Sequence, residues 1–231
     1  MTINVHNVCP DFNSYRAARV KSLFNAERGN EFNLTADLPF DGGEWKIGLV
    51  VGPSGTGKTS IGRQIFPGVE ISDLYAGWPA DAPIIDAIGP GGDFDAATGA
   101  LAAVGLGDVP AWLRPFHALS NGQQFRAGLA RVICGGAADV VIDEFTSVID
   151  RQIAKIGAMA FSKSWNRLKG RRAVLLSCHY DIAEWLQPDW VFDTGAGEFK
   201  KKTNSPTGQN LAYKFGRSTQ VTGDILNLIT I

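Results

Sequence analysis

The feature that most constrains the fold is a glycine-rich turn that ends in lysine and threonine. It follows the pattern G-x-x-x-x-G-K-[ST] and reads Gly52-Pro53-Ser54-Gly55-Thr56-Gly57-Lys58-Thr59. A loop that wraps an anion this closely needs glycines, because side chains would clash with it, and its backbone N–H groups point inward. We expect Lys58 to neutralise two phosphates, the Thr59 hydroxyl to bind Mg²⁺, and the adjacent Ser60 to join the nucleotide-binding set.

The segments around this turn alternate between strand and helix patterns. Residues 45–51 are typical of a buried strand, and residues 59–65 of the helix that follows it. Two further apolar runs, 140–142 and 173–176, are typical of strands, and a helical stretch at roughly 150–168 lies between them. Strand–helix–strand alternation predicts an α/β fold in which a mainly parallel sheet is covered by helices.

Two carboxylates end the second of these strands. The apolar run Val140-Val141-Ile142 is followed directly by Asp143 and Glu144. Charges at the end of a buried strand are costly unless they meet a cation or a reacting group. We therefore predict that Asp143 holds Mg²⁺ and that Glu144 is the general base that polarises an attacking water.

The segment Leu119-Ser120-Asn121-Gly122-Gln123-Gln124, followed by FRAGLAR, is the most specific motif after the glycine-rich turn. Here the chain resembles the ATP-binding-cassette (ABC) family, whose signature LSGGQ runs into a helix. Ser120 lies 23 residues before Asp143, which matches the spacing in that family. The resemblance implies that Ser120, Gly122 and Gln123 contact the γ-phosphate of an ATP held by a second copy, where a helix start favours an anion.

Two more segments fit the same family. Ser147-Val148-Ile149-Asp150 lies where the family has its D-loop, and the resemblance gives Asp150 a place in the nucleotide-binding set. A helix N-cap at Ser147 is compatible with that interpretation. His179 ends the strand pattern of residues 173–176 and follows Asp143 by 36 residues. In the family, a histidine at this place contacts the γ-phosphate and orients the base and the water.

The resemblance also predicts the fold and its division. It implies an α/β P-loop NTPase with a mainly parallel central sheet, an antiparallel β edge and a shortened helical subdomain. We assign residues 1–199 to this nucleotide-binding domain, with the helical subdomain at about 81–135. The polar residues 200–231 are expected to form a C-terminal tail or extension.

The sequence departs from the family in the helical region. Lys58 and Ser120 are only 62 residues apart, and no glutamine occurs between Gln64 and Gln123 to provide the family's Q-loop contact. A residue near 78–86 is expected to replace it. The candidate for the aromatic residue that stacks on adenine is Phe24, and the alternative for Phe24 is a core position.

The short helical region and the run DEFTSVIDRQIAK most resemble soluble cassette ATPases of bacteria, archaea and their viruses. Members of that group are often joined to a predicted acetyltransferase domain. The implied function is binding and hydrolysis of Mg-ATP by a head-to-tail homodimer, a soluble switch that acts on a protein partner or an associated effector domain. The alternatives are an ATPase subunit of an ABC transporter, and a P-loop kinase or nucleotide sensor.

Composition narrows the setting. The net charge of −1 gives no general attraction to nucleic acid, and the basic run at Lys200-Lys201-Lys202 is expected to be solvated. The three cysteines, Cys9, Cys134 and Cys178, have no zinc-site spacing and indicate reduced thiols. No apolar run reaches the length of a membrane span, and we expect a cytoplasmic protein without a membrane contact.

Overall fold

The computed structural model describes residues 1–8, 11–24, 31–40, 44–202 and 213–215. Cys9 and most of the predicted tail lie outside these residues. The described strands are β1 Thr2–Val8, β2 Glu31–Asp37, β3 Ile47–Val51, β4 Ile71–Ser72, β5 Asp139–Ile142, β6 Arg172–Ser177, β7 Trp190–Asp193, β8 Glu198–Lys202 and β9 Tyr213–Phe215.

The α-helices of the same residues are α1 Tyr15–Phe24, α2 Lys58–Ile65, α3 Ile84–Ala87, α4 Phe94–Ala103, α5 Val109–Trp112, α6 Asn121–Cys134, α7 Arg151–Trp165 and α8 Ile182–Leu186. Short 3₁₀ turns lie at Pro90–Gly92 and Phe116–Ala118. Among the described residues, no helix combines the length and the apolar character that crossing a membrane requires.

A seven-stranded sheet forms the centre of the molecule, in the order β4-β5-β6-β3-β7-β8-β9. The first five strands in this order, β4, β5, β6, β3 and β7, are parallel, and β8 and β9 add an antiparallel edge. This confirms the predicted α/β fold with a mainly parallel sheet. The strands predicted at 45–51, 140–142 and 173–176 correspond to β3, β5 and β6.

Alternate residues of the central strands enter two separate hydrophobic cores. In β3, Leu49 packs in the core that contains α4, α6 and α7, whereas Val50 packs in the core that contains α2 and the β1–β2 pair. Gly62 lets α2 approach the sheet closely, because a Cβ there would lie 2.8 Å from Val141 Cγ1. Buried on both faces, these strands are continuous apolar runs, as parallel strands generally are.

Strands β1 and β2 form a separate two-stranded antiparallel sheet, with α1 between them in the chain. Their apolar side chains, such as Ile3 and Leu34, enter the same core as α2. Gln64 of α2 exchanges two hydrogen bonds with the Asn4 backbone, at 3.0 and 2.6 Å. This small sheet therefore covers one face of the domain beside the helix that follows the glycine-rich turn.

The predicted boundary at 199/200 falls inside a strand. Lys200 and Lys201 of β8 pair with Val191 and Trp190 of β7, and Lys202 N donates to the carbonyl of Asp189, just before β7, at 2.8 Å. Residues 200–202 therefore continue the sheet beyond the predicted boundary, and Lys201 is solvent-exposed. The rest of the predicted tail lies outside the description, apart from the three residues of β9.

Candidate active site

Four neighbouring strands deliver the candidate site at their carboxyl ends. In the sheet order β5-β6-β3-β7, the residues that follow each strand are Asp143, Cys178, Gly52 and Thr194. The carboxyl edge of an open parallel sheet is where such folds bind ligands. The sequence predicted three of these strand ends, and the contribution of β7 was missed.

The glycine-rich turn has the backbone that its sequence predicts. Gly52, Gly55 and Gly57 have φ angles of 149°, 81° and 78°, a region that side-chain-bearing residues rarely adopt. A Cβ on Gly52 would lie 1.9 Å from Thr194 Oγ1. The turn therefore needs glycine both for its backbone angles and for contact with the strand beside it, and α2 begins immediately after it at Lys58.

Lys58 folds back over the turn that precedes it. Its Nζ donates hydrogen bonds to Gly52 O at 2.9 Å and to Pro53 O at 2.7 Å. Burial lowers the pKa of this amine, and the nearby Cys178, Asp143 and Glu144 act in the opposite direction. A cation held by two backbone carbonyls, at the start of a helix, fits an anionic phosphate group.

The two predicted metal ligands lie in direct contact. Thr59 Oγ1 donates a hydrogen bond to Asp143 Oδ2 at 2.7 Å, and Asp143 Oδ1 accepts one from Glu144 N at 2.8 Å. Hydroxyl and carboxylate oxygens are the ligands that Mg²⁺ prefers, and the ion usually keeps waters or phosphate oxygens as its other ligands. In the described part of the chain, no cluster of three His, Cys, Asp or Glu side chains forms a site that the protein alone completes.

Glu144 occupies a strained turn that a buried phenylalanine holds in place. Glu144 and Thr146 have φ angles of 49° and 70°. Between them, Phe145 is fully buried against Phe125 and Phe161, and its N–H donates to Leu176 O at 2.9 Å. Left-handed angles at non-glycine residues persist only where the surroundings enforce them. Phe145 therefore anchors the turn that presents the exposed Glu144 carboxylate beside the glycine-rich turn, which is called the phosphate loop below.

The histidine segment is tied to the same turn. Ser177 Oγ, at the end of β6, donates to Phe145 O at 3.0 Å and accepts from His179 N at 3.1 Å. Burial lowers the pKa of His179, and the positive charge of Arg151 lowers it further. The imidazole is therefore mainly neutral at pH 7, a form that offers one donor and one acceptor.

Ser120 starts α6 with a reciprocal pair of hydrogen bonds. Its Oγ accepts from Gln123 N at 3.4 Å, and Gln123 Oε1 accepts from Ser120 N at 3.0 Å. Gly122 is buried against Ile153, where a Cβ would come within 2.8 Å of that side chain. The hydrogen bonds described for Ser120 and Gln123 stay within this region, including one from Gln123 Nε2 to Asp108 Oδ2 at 3.3 Å. Ser120 itself faces solvent.

Asp150, rather than Ser147, is the N-cap of α7. Its Oδ1 accepts from Gln152 N at 2.8 Å. The next residue, Arg151, pairs with Asp181 and lies over the Trp185 ring at 5.0 Å. The D-loop position is thus fixed by a helix cap, and its role towards a second copy stays a prediction.

Phe24 lies in the last turn of α1 and its side chain is 66% exposed. This removes the alternative of a core phenylalanine and leaves adenine stacking as a prediction.

Strand β4 ends beside Asp143, on the side of β5 that faces away from β6, since Asp143 N donates to Ser72 O at 3.3 Å. The residue after it is Asp73, whose Oδ1 accepts from Tyr75 N at 2.8 Å.

The region predicted to replace the Q-loop is held by packing against the helical region. Trp78 stacks on Phe116 with ring centroids 4.4 Å apart, and the Arg131 guanidinium lies 4.2 Å above the Trp78 ring. Arg131 also donates to the carbonyls of Ala76 and Gly77, at 2.6 and 3.1 Å. These contacts connect the segment after β4 to the helix that Ser120 begins.

Sequence reasoning missed Thr194, Asp193 and Tyr180. Thr194 is buried beneath the phosphate loop and contacts Thr56. The Tyr180 hydroxyl donates to Asp193 Oδ1 at 3.0 Å, and burial, together with this carboxylate, raises the pKa of Tyr180 to about 12. No local sequence pattern marks these residues, because their roles come from strand β7 lying next to β3.

No protein-family model matches the sequence, and no curated protein sequence is significantly similar to it. Solved structures do match. A dimeric ATP-binding cassette in a post-hydrolysis state, bound to ADP and Pi, superposes with a TM-score of 0.58 at 12% identity, over 89% of this chain and 100% of that chain.

Two further solved structures agree with this comparison. A second dimeric structure of the same protein, a bacterial ABC transporter cassette, matches with a TM-score of 0.58 at 13% identity, over 89% of this chain and 100% of that one. An inward-facing ABC transporter of metal-chelate type matches with a TM-score of 0.55 at 15% identity, over 97% and 100%. Together with the strand order and the phosphate loop, these matches show that the chain has the fold of an ATP-binding cassette.

Proposed function

We propose that this chain is a soluble, cytoplasmic ATPase switch, which binds Mg-ATP and hydrolyses it as a head-to-tail homodimer. The observation that carries the proposal is the convergence of Lys58, the Thr59–Asp143 pair and the Glu144 turn at neighbouring strand ends. The phosphate loop binds the triphosphate, while Ser120, Gly122 and Gln123 of a second copy contact its γ-phosphate.

The chain's own residues divide the chemistry between them. Lys58 exchanges its carbonyl partners for the β- and γ-phosphates, and Thr59 and Asp143 hold Mg²⁺. When bound, Mg²⁺ neutralises charge that develops on the phosphate oxygens. Glu144 accepts a proton from the attacking water. As it does so, the water oxygen bonds to the γ-phosphorus, and the bond between the γ-phosphorus and the β-phosphate oxygen breaks. Neutral His179 orients that water and the γ-phosphate, and ADP and phosphate leave.

Hydrolysis controls assembly in this scheme. The γ-phosphate is bound by the loop of one copy and the α6 start of the other, so its loss removes the contact between the copies. Each ATP is therefore expected to stabilise the dimer, and each turnover to release it. The work of the switch is transmitted to a protein partner or an associated effector domain.

The substitution Glu144→Gln tests the proposal. Losing the general base is expected to slow phosphate release about 100-fold or more. ATP binding persists, so the variant should accumulate as a dimer with Mg-ATP in size-exclusion chromatography with light scattering. The matched control is Glu184→Gln, an exposed glutamate on α8, which should behave as the wild type. A Glu144→Gln protein that stays monomeric at saturating Mg-ATP would contradict the dimer model.

The second candidate function is an ATPase subunit of an ABC transporter, because the solved structures compared above are all of transporter components. The short segment between Lys58 and Ser120 favours the switch instead. Purification of the tagged Glu144→Gln protein from native membranes and from the soluble fraction separates the two. Stoichiometric capture of an integral membrane protein would favour the transporter subunit.

A further inference from the structure

Thr194 is a buried hydroxyl that the proposed chemistry does not use. It follows β7 directly and has 0% of its surface exposed. Its N–H and its Oγ1 both donate to Val51 O, the last carbonyl of β3, at 2.8 and 3.0 Å. Thr194 is thus fixed at the root of the phosphate loop, on the strand next to the one that carries it.

The side chain of Thr194 contacts the middle of that loop. Its Oγ1 lies 2.5 Å from Thr56 Oγ1, and the Thr56 hydroxyl also donates to Pro53 O at 2.8 Å. Thr56 is itself only 2% exposed. The two hydroxyls have two protons for three contacts, so at any moment one of the contacts to Val51 O, to Pro53 O or between the hydroxyls has no proton. These hydrogen bonds connect the end of β3 at Val51 to the phosphate loop at Pro53 and Thr56.

The adjacent turn keeps Thr194 in place. Asp193 Oδ1 accepts from Gly195 N at 2.8 Å, from Ala196 N at 3.2 Å and from the Tyr180 hydroxyl at 3.0 Å. Three donors on one carboxylate oxygen fix the end of β7. Thr194 consequently has little freedom to move away from the loop.

We infer that Thr194 is a positioning residue for ATP binding: through Thr56 it holds the phosphate loop in its anion-binding conformation before the nucleotide arrives. The inference rests on the proposed function of the loop. Backbone N–H groups bind phosphate well only if they already converge, because ordering a loop on binding reduces affinity. Thr194 contributes nothing to the phosphate directly; it acts on the shape of the loop.

Three substitutions separate the hydroxyl from the volume of the side chain. Thr194→Ser keeps the hydroxyl and loses one methyl group. Thr194→Ala removes the hydroxyl and leaves space. Thr194→Val replaces the hydroxyl with a methyl group, which cannot remain 2.5 Å from Thr56 Oγ1 and must push the loop away. Positioning by the hydroxyl predicts that affinity for nucleotide falls in the order Ser, Ala, Val.

The experiment is a titration of each full-length variant with a fluorescent, non-hydrolysable ATP analogue and Mg²⁺, well below the melting temperature of each variant. We expect Kd for Thr194→Ser within about twofold of the wild type. The loss of one hydrogen bond should raise Kd about fivefold in Thr194→Ala, and the added displacement should raise it about tenfold or more in Thr194→Val. kcat should change less than Kd, since Glu144 and His179 are not displaced.

Hydrogen–deuterium exchange of the nucleotide-free protein gives a second measurement. The amides of Gly52 and of residues 54–57 should exchange faster in Thr194→Ala than in the wild type, with Thr194→Ser restoring slow exchange. Wild-type Kd values and unchanged exchange in Thr194→Ala and Thr194→Val would overturn the inference and leave the ATPase proposal intact. A wild-type protein that binds no nucleotide would overturn the proposed function, while exchange would still decide whether Thr194 orders the loop.

Discussion

Two helices of this chain begin at predicted phosphate contacts, and their first turns are satisfied in different ways. Helix α2 begins after Gly57, which has no side chain to cap it, and Lys58 turns back towards the loop carbonyls. Helix α6 begins at Ser120, where the serine and Gln123 cap each other. One helix start is open to an anion, whereas the other already satisfies its own backbone groups.

This difference gives an order of events. We expect the glycine-rich turn to bind nucleotide in a single copy, because an incoming phosphate only has to take over the lysine from two carbonyls. A phosphate that approaches α6 must replace hydrogen bonds between Ser120 and Gln123, each of which contributes about 1 kcal/mol net. We therefore expect ATP binding to precede assembly of the dimer, and assembly to need the γ-phosphate.

Lys58→Ala is expected to have the largest effect. It removes the only charged partner that the loop itself offers to the triphosphate, and affinity for nucleotide should fall about 100-fold. The control is Lys163→Ala, an exposed lysine on α7, for which wild-type affinity is expected. Binding is measured by the fluorescent-analogue titration. Near-normal affinity in Lys58→Ala would remove the basis for treating α2 as the primary nucleotide contact.

Ser120→Arg should leave the start of α2 intact and abolish the predicted phosphate contact at the start of α6. A bulky cation at the start of α6 removes the cap and blocks the approach of a second copy. We expect Kd for nucleotide within about twofold of the wild type, since Lys58 is untouched, while ATP turnover falls at least about 100-fold. Binding and phosphate release are measured on the same preparation. Normal turnover would instead support a nucleotide sensor or kinase that works as a monomer.

Substitutions at Gln123 distinguish its cap from its predicted phosphate contact. Gln123→Glu keeps the reciprocal cap, because glutamate suits this helix position, but it places a negative charge towards the γ-phosphate. The substitution also replaces the amide that donates to Asp108 Oδ2 with a like charge, so the variant should melt slightly below the wild type and lose ATP-dependent assembly. Gln123→Ala should cost about 1 kcal/mol and lower the melting temperature by about 2–4 °C. If the two variants assemble equally well, Gln123 has no contact with the second copy's nucleotide.

The smallest expected effect is a fall in nucleotide affinity at alkaline pH, which arises from Lys58 at the start of α2. Burial lowers the pKa of Lys58 below its ordinary value of 10.5, so in the free protein the amine loses its proton at a lower pH than an exposed lysine. Bound phosphate favours the charged form, and affinity should therefore fall as pH rises through the lowered pKa. Titrations without Mg²⁺, which precipitates as hydroxide, measure this, with thermal melts confirming that the protein remains folded.

Much of the site was predictable because its signals are local. The run that becomes Ile47–Val51, the glycines after it and the carboxylates after Ile142 each reflect chemistry within a few residues. The positive φ angles of Gly55 and Gly57 could be anticipated from the same pattern. The parallel order of strands then brings separately predicted residues, such as Thr59 and Asp143, to one edge.

Other features depend on contacts between distant parts of the chain. Lys200–Lys202 form a solvated-looking basic run in the sequence, yet they pair with β7 as a strand. No sequence pattern marks the role of Phe145, which emerges only from the burial of its ring between Phe125 and Phe161. The exposure of Phe24 likewise follows from how α1 is placed, which its own amphipathic pattern does not reveal.

The sequence by itself determined that this chain carries a glycine-rich turn, an acid pair and a histidine at the ends of buried strands, because glycine geometry and the cost of buried charge restrict those residues locally. The tertiary structure alone decided that β7 lies beside β3. That neighbourhood brings the Thr194 hydroxyl beneath Thr56 and closes the Gly52 position to any side chain. A hydrogen bond between residues 138 positions apart has no local signature, since its strength depends on two strands meeting in space.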